Sequence, residues 1–385
     1  MDIEMTTEDG LYHRQTLFDK AKRVVVKVGS AILTSENGIN KEVLDNLAKE
    51  LAFLRNTGRE VILVSSGAVA AGKKKLHIKD GKGVSIMEKQ ALAAIGQSQL
   101  MHDYDEAFHR YGYNIAQILL THSDLAHRSR YLNVRNTIHT LFKFGVIPII
   151  NENDTVSTEE LKFSDNDTLG AMLANLIEAD MFICLTDVDA LYDSNPVTHP
   201  DAKPIYTVSE VDDRIQSMAG HSKSVLGTGG MQSKINAAQM VSAGGGSSFI
   251  GPGKRENILE HLFSGEMIGT FFLPQKEKMQ SRKRWIAYVL KPQGEITLDA
   301  GACTAIAKNG RSLLPSGVTD VHGDFNKGDS VRCVNTNGDL VAVGLSNFSK
   351  ETVAKIKGLR TKDITQLLGY IENEEIIHRD NMVVL

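Results

Sequence analysis

Apolar positions in the first two thirds of the chain switch repeatedly between a strand-like and a helix-like period. The uninterrupted β-branched run Val24, Val25, Val26 predicts a strand buried on both faces, of the kind found inside parallel sheets. After it, Val43, Leu44, Leu47, Leu51 and Leu54 recur at helical spacing, with Asn40 placed to cap that helix and Gly58 to end it. A second strand pattern at 61–64 runs straight into Ser65-Ser66-Gly67-Ala68. Longer helical patterns cover 88–111 and 131–144, and strands are predicted at 115–120, 146–150 and 181–185. The last two strands end in polar residues, Asn151-Glu152-Asn153-Asp154 and Thr186-Asp187. Gly227 to Gly230 then opens a helix over 231–241, followed by a short strand at Phe249. This alternation predicts a three-layer α/β/α sandwich around a mostly parallel sheet, with ligands gathering beyond the carboxyl ends of the strands.

The texture changes near 285–294. Segments become short, apolar and punctuated by turns, at 295–298, 312–315, 330–334 and 340–343, which predicts a small β-rich domain. The boundaries expected from these patterns are a flexible N-terminal extension over 1–20, a catalytic domain over 21–275, a basic linker over 276–290, the β-rich domain over 291–372 and a C-terminal tail over 373–385. Between 192 and 205, three of the eight prolines fall in one irregular loop.

Charge adds one refinement to this division. The net charge of −4 exerts no global pull on nucleic acid or anionic membranes. Residues 276–284 hold five basic residues and one acidic, whereas 291–385 hold 11 basic and 12 acidic, so the positive charge belongs to the linker. An RNA footprint needs a basic face, and the near-neutral β domain argues against one. Cys184, Cys303 and Cys333 fit no zinc or redox spacing and read as small buried hydrophobes in a reducing compartment. No apolar run approaches the roughly 20 residues that span a bilayer, and the acidic opening M-D-I-E-M-T-T-E-D-G is unlike a signal peptide. A cytoplasmic protein with no membrane partner is expected.

Four stretches carry candidate chemistry. In Lys27-Val28-Gly29-Ser30 a lysine ends a strand, and a glycine lets backbone amides approach an anion. Ser65-Ser66-Gly67-Ala68 offers hydroxyls at a helix start, suited to a carboxylate or phosphate and equally to an ordinary cap. Asn151 to Asp154 and Phe163-Ser164-Asp165-Asn166-Asp167 form two acidic clusters that suit a substrate ammonium, a lysine or Mg²⁺, with helix caps as the structural alternative. Gly227-Thr228-Gly229-Gly230-Met231-Gln232-Ser233-Lys234 is a glycine-rich turn into a helix whose first turn bears a lysine. Its spacing is not that of a Walker A loop, and no G-x-G-x-x-G follows a strand. A serine hydrolase would need a nucleophile elbow, which is lacking. Two lysines on separate glycine-bearing loops meet the demand of phosphoryl transfer for positive groups around a transferring anion.

Together V-V-K-V-G-S, V-S-S-G-A-V-A-A-G, N-E-N-D followed by S-D-N-D, L-T-D and G-T-G-G-M-Q-S-K resemble the amino acid kinase family, in particular its glutamate-phosphorylating members. The resemblance runs over about 24–272 and continues through R-K-R-W, G-E-I-T-L-D-A-G-A and S-L-L-P-S-G-V into what looks like a PUA domain. It implies ATP with Mg²⁺, and L-glutamate as acceptor, giving L-glutamyl 5-phosphate for proline synthesis. N-acetylglutamate, aspartate or UMP would be the acceptors of sister enzymes, and RNA binding through the PUA-like domain is the alternative of another class. By resemblance, Lys27 and Lys234 would stabilise the transferring group, with Asp167 orienting them. Ser66, Gly67, Asp154 and Asn166 would hold glutamate, Asp154 taking the ammonium. Lys27, Gly29, Ser30, Thr186, Asp187, Thr228, Gly229, Gly230, Met231, Gln232, Ser233 and Lys234 would hold ATP, whose phosphates would carry the magnesium, with no metal ligand assigned to the chain. Feedback inhibition by proline, a homo-oligomer (dimer or tetramer) and a functional link to glutamyl-phosphate reductase are also implied.

Overall fold

The structure is a computed structural model, described here over residues 7–35, 38–78, 85–157, 165–218, 230–275, 278–359 and 374–384, with backbone alone over 7–13. It divides into two compact units, Met1–Lys278 and Met279–Leu385.

In the first unit the main described elements, short turns and two-residue hairpin strands aside, run α1 (Thr7–Lys20), β1 (Arg23–Val28), α2 (Lys41–Asn56), β2 (Glu60–Val64), α3 (Ala68–Lys75), α4 (Ile86–His109), β3 (Ile115–Leu120), α5 (Arg128–Lys143), β4 (Ile147–Glu152), α6 (Asn166–Leu176), β5 (Met181–Thr186), β6 (Thr207–Val208), α7 (Met231–Ala243), β7 (Ser247–Pro252), α8 (Ile258–Phe263) and β8 (Thr270–Phe272). The eight strands make one sheet in the order β6-β8-β7-β5-β1-β2-β4-β3, parallel except where β7 meets β8. From β1 the chain builds outward on one side through β2, β4 and β3, then returns to lay β5 against the other side of β1. The sheet therefore has its topological switch point at β1 and β5, where α/β sheets open a crevice for ligands.

Side chains alternate across β1, as a strand requires. Val24, Val26 and Val28 enter a core built with Phe18 of α1, Leu44, Leu47 and Leu51 of α2, Leu100, Tyr104 and Phe108 of α4, and Leu259 and Leu262 of α8. Lys27 lies on the other face, under α6, where a side chain at Gly170 would come within 3.6 Å of the Lys27 Cβ and 2.6 Å of the Phe182 ring. The absence of a side chain at Gly170 is what seats α6 this low on the sheet.

Several expectations need correction. The extension over 1–20 is not loose in its second half: α1 docks through Phe18, whose ring lies 5.0 Å from that of Phe271, and through buried Arg14, which donates to the Ile268 carbonyl at 3.0 Å. Acidic residues at the start of the chain concealed a helix that packs through its second half. Residues 281–289, read as linker, form a helical turn (Ser281–Arg284) continued by a π-helix (Trp285–Val289), and Ile286 is buried against Val343 and Val383 of the second unit. The C-terminal tail contributes a strand.

That second unit holds β9 (Gly294–Leu298), α9 (Ala300–Asn309), β10 (Val318–Gly323), β11 (Ser330–Val334), β12 (Leu340–Leu345) and β13 (Met382–Val384), in the sheet order β10-β9-β11-β12-β13. The short apolar segment 312–315 makes a single bridge, Leu313 to Ile377, before a 3₁₀ turn at Pro315–Gly317. Ile296, Leu298, Val331, Cys333 and Ala342 form the centre of its own core.

Candidate active site

Three chain segments bring charge to the carboxyl end of β1. Lys27 is its penultimate residue, Asp167 is the second residue of α6, and Lys234 lies in the first turn of α7. The Lys27 Nζ lies 2.5 Å from Asp167 Oδ1 and the Lys234 Nζ 3.1 Å from Asp167 Oδ2. All three are buried, Asp167 completely. Burial alone would raise the Asp167 pKa, but the two ammonium groups outweigh it and hold the carboxyl down at about 2. Burial likewise opposes the Lys27 ammonium, and negative charge at Cys184 and Asp167 more than offsets it, raising its pKa. Because burial and Asp167 push the Cys184 thiol up to about 12, Asp167 is the partner that matters at neutral pH. Two lysines around one carboxylate leave a net charge of +1 in a desolvated pocket, where it acts on an anion far more strongly than in water.

The second cluster hangs from the ends of β2 and β4. Asn166, next to Asp167, points its amide NH₂ at the Ser65 carbonyl (2.7 Å), the Ser66 hydroxyl (2.8 Å) and Asn151 Oδ1 (3.1 Å). Asn151 donates in turn to Gln97 Oε1 at 3.0 Å, and the Ser65 hydroxyl pairs with Tyr104 at 2.8 Å. Asp165 caps α6 by accepting from the Thr168 amide at 2.8 Å, the structural alternative considered for it. Asp154 stands half-buried in the turn that follows β4. Gly67 adopts φ 99°, a left-handed conformation that favours glycine, immediately before α3.

Reading motifs in isolation missed Gln97 and Tyr104, and marked Asn151 and Ser65 only as members of their segments. It also missed why the V-S-S-G-A-V-A-A-G segment ends in glycine. A Cβ on Gly72 would fall 2.0 Å from the Leu92 carbonyl, and one on Gly96 1.8 Å from the Ala68 carbonyl, so α3 and α4 touch backbone to backbone. That contact fixes the helix whose first turn follows Ser66 and Gly67.

On the other side of β1, the Thr186 hydroxyl donates to Asp187 Oδ1 at 3.0 Å and its carbonyl accepts from the Gly253 amide. Gly29 has an ordinary φ of −76°, and its amide lies 3.3 Å from the Leu185 carbonyl, so here it ties β1 to β5. Ser30 begins a four-residue helical turn. Gly230 precedes α7, Met231 and Gln232 are half-exposed in its first turn, and the Ser233 hydroxyl lies 2.9 Å from the Gly230 carbonyl and 3.0 Å from Asp167 Oδ2. Thr228 and Gly229 lie outside the described residues.

The model of the amino acid kinase family matches residues 22–250, and that of the PUA domain residues 294–368. The chain belongs to the amino acid kinase family. Among its relatives in that family, the glutamate 5-kinase of Desulfotalea psychrophila is 59% identical over 97% of this chain and 99% of its own length. The glutamate 5-kinase of Geobacter sulfurreducens is 50% identical over 97% of this chain and all of its own. In the PUA unit, a cavity of about 630 Å³ lies between α9 and residues 375–379, where Arg311 and Arg379 are balanced by Asp299 and Glu375. No helix among the described residues is long and apolar enough to cross a membrane.

Proposed function

We propose that the chain transfers the γ-phosphoryl group of MgATP to the γ-carboxylate of L-glutamate, giving ADP and L-glutamyl 5-phosphate, the first step of proline synthesis. The observation that carries this reading is the buried Lys27–Asp167–Lys234 arrangement at the switch point of the sheet, and the relatives' names supply the substrate. The transferring group spreads negative charge over its oxygens as both bonds to phosphorus loosen. Two lysines set by one carboxylate answer that charge without having to reorganise during the step.

On this reading Ser66, Gly67, Asp154 and Asn166 hold glutamate. The Asp154 carboxylate pairs with the substrate ammonium, and Asn166 sets the Ser66 hydroxyl. Gly29, Ser30, Thr186, Asp187 and residues 228–234 hold the nucleotide. Among the described residues no group of three or more His, Cys, Asp or Glu could hold a metal ion. Mg²⁺ carried on the nucleotide phosphates would need only one or two carboxylates alongside phosphate and water. Bound there, the ion would neutralise charge on the nucleotide. Proline as feedback inhibitor, a dimeric or tetrameric assembly, a cytoplasmic location and a functional link to a glutamyl-phosphate reductase belong to the same proposal. An acyl phosphate hydrolyses readily, which favours prompt consumption.

The test is ADP release with L-glutamate, aspartate, N-acetylglutamate and UMP, each with and without proline. Turnover should be highest with L-glutamate and fall when proline is added. Faster turnover with N-acetylglutamate, which carries no ammonium for Asp154, would overturn the substrate assignment.

A further inference from the structure

Among the described residues Asp167 is held by four side-chain donors, two on each oxygen. Oδ1 accepts from Lys27 Nζ at 2.5 Å and from the Cys184 thiol at 3.3 Å. Oδ2 accepts from Lys234 Nζ at 3.1 Å and from the Ser233 hydroxyl at 3.0 Å. Each oxygen thus has one charged and one neutral donor, which together fill the roughly four lone-pair sites of a carboxylate. The sheet register sets up this symmetry. Cys184 on β5 pairs with Lys27 on β1, so thiol and ammonium stand side by side beneath α6. Ser233 and Lys234 are neighbours in the first turn of α7.

We infer that Cys184 and Ser233 form a neutral clamp that keeps the Asp167 carboxylate in a fixed plane while Lys27 and Lys234 engage the transferring phosphoryl group. The inference rests on the phosphoryl-transfer reading. Both are positioning residues, acting through Asp167. A lysine ends a flexible stem and carries three protons, so turning N–H bonds toward phosphoryl oxygens weakens its hold on the carboxylate. The fully buried Cys184 thiol has no such second task with the substrate, and the Ser233 hydroxyl, although its segment is assigned to the nucleotide, is turned onto Asp167. Being neutral, they hold the acid without altering the net +1 that faces the anion. The Ser233 proton has two acceptors in reach, Asp167 Oδ2 and the Gly230 carbonyl at 2.9 Å, and the charged oxygen is the stronger. Cys184 is fully buried, so its contribution is a hydrogen bond within the core and not surface reactivity.

The clamp is tested with Cys184→Ala, Cys184→Ser, Ser233→Ala and the Cys184→Ala/Ser233→Ala double variant of the full chain. Loss of one neutral hydrogen bond should lower kcat about five-fold for either alanine variant, with KM for glutamate unchanged in both and KM for ATP unchanged in Cys184→Ala; Ser233 lies in the segment assigned to the nucleotide, so its variant is read through kcat. Cys184→Ser, which keeps a donor, should recover most of the loss. The double variant should lose more than the product of the single effects, because a carboxylate without either donor is free to rotate. Unchanged kcat in both single alanine variants would overturn the clamp. Equal loss in Cys184→Ser and Cys184→Ala would show that the thiol only fills space, and would overturn it too. A measurement independent of turnover is the infrared S–H stretch of Cys184, isolated by difference against Cys184→Ser. It should lie below that of Cys333, which is buried in an apolar core, and coincident bands would refute the contact. A wild-type protein releasing no ADP would refute the phosphoryl-transfer reading, leaving the band to decide whether the clamp exists.

Discussion

Replacing Asp167 by Asn keeps the shape of the side chain and removes its charge, so packing is nearly constant while two buried ammonium groups lose their shared counterion. Two routes bound the effect on stability. The Asp167 carboxyl falls from 3.8 to about 2 on folding, and at 1.36 kcal/mol per unit the linkage is about 2.5 kcal/mol at neutral pH. Removing one partner of a buried ion pair costs about 3–5 kcal/mol, and here Lys27 and Lys234 are only 6% and 7% exposed. The expected loss is therefore about 2.5–5 kcal/mol, read as a lower urea midpoint with an unchanged slope. Its pH dependence has a defined sign. Because the folded pKa is depressed, the wild-type advantage should be complete above about pH 4 and close as pH falls toward 2. Turnover should fall by a factor of about 10² to 10³, the scale of losing preorganised charge at a reacting anion. Adding Lys27→Met to Asp167→Asn should restore part of the stability and none of the turnover. A stability loss below about 1 kcal/mol, the scale of an exposed ion pair, would refute the picture of a desolvated pair of lysines depending on this carboxylate.

Three further outcomes follow from other parts of the first unit. Gly96→Ala would place a methyl group against the Ala68 carbonyl, so thermal unfolding should occur at lower temperature, and KM for the acceptor should rise as α3 shifts with Ser66. Asn166→Asp would turn a carboxylate on three acceptors, the Ser65 carbonyl, Ser66 and Asn151; KM for the acceptor should rise at least tenfold, while KM for ATP stays within a factor of about two. On α2, burial pushes the Glu50 carboxyl up to about 7 although it accepts from the Leu259 amide and from Asn46. The folded state then binds the extra proton, so stability should decline as pH rises from 4.5 to about 7, and Glu50→Gln should flatten that slope in urea titrations.

The parallel core and the charged centre of the site were legible because each rests on a local signal. The run Val24–Val26, the helix that Asn40 caps through the Glu42 and Val43 amides, and the lysines of two glycine-bearing loops all carry their meaning within a few residues. What was not legible depends on neighbours far along the chain. Cys184 read as a small buried hydrophobe, and it is buried, yet the register of β5 against β1 turns its thiol onto Asp167. Gly72 and Gly96 fit a helical pattern without distinction until α3 and α4 are seen in backbone contact. Arg14, in an acidic and polar opening, gave no hint that its guanidinium would serve the Ile268 and Tyr206 carbonyls some 200 residues away. The strand at Met382–Val384 is three residues long, too short to carry a pattern, and forms because β12 offers it an edge.

The central claim is that Lys27, Asp167 and Lys234 together transfer phosphoryl to a carboxylate. The most direct measurement is to let the protein turn over MgATP and L-glutamate with hydroxylamine present, which traps an acyl phosphate as its hydroxamate. Equal amounts of ADP and γ-glutamyl hydroxamate are predicted, both absent in Lys27→Met and Lys234→Ala variants that remain folded. ADP accompanied by free phosphate and no hydroxamate, or turnover that survives loss of both lysines, would contradict the account.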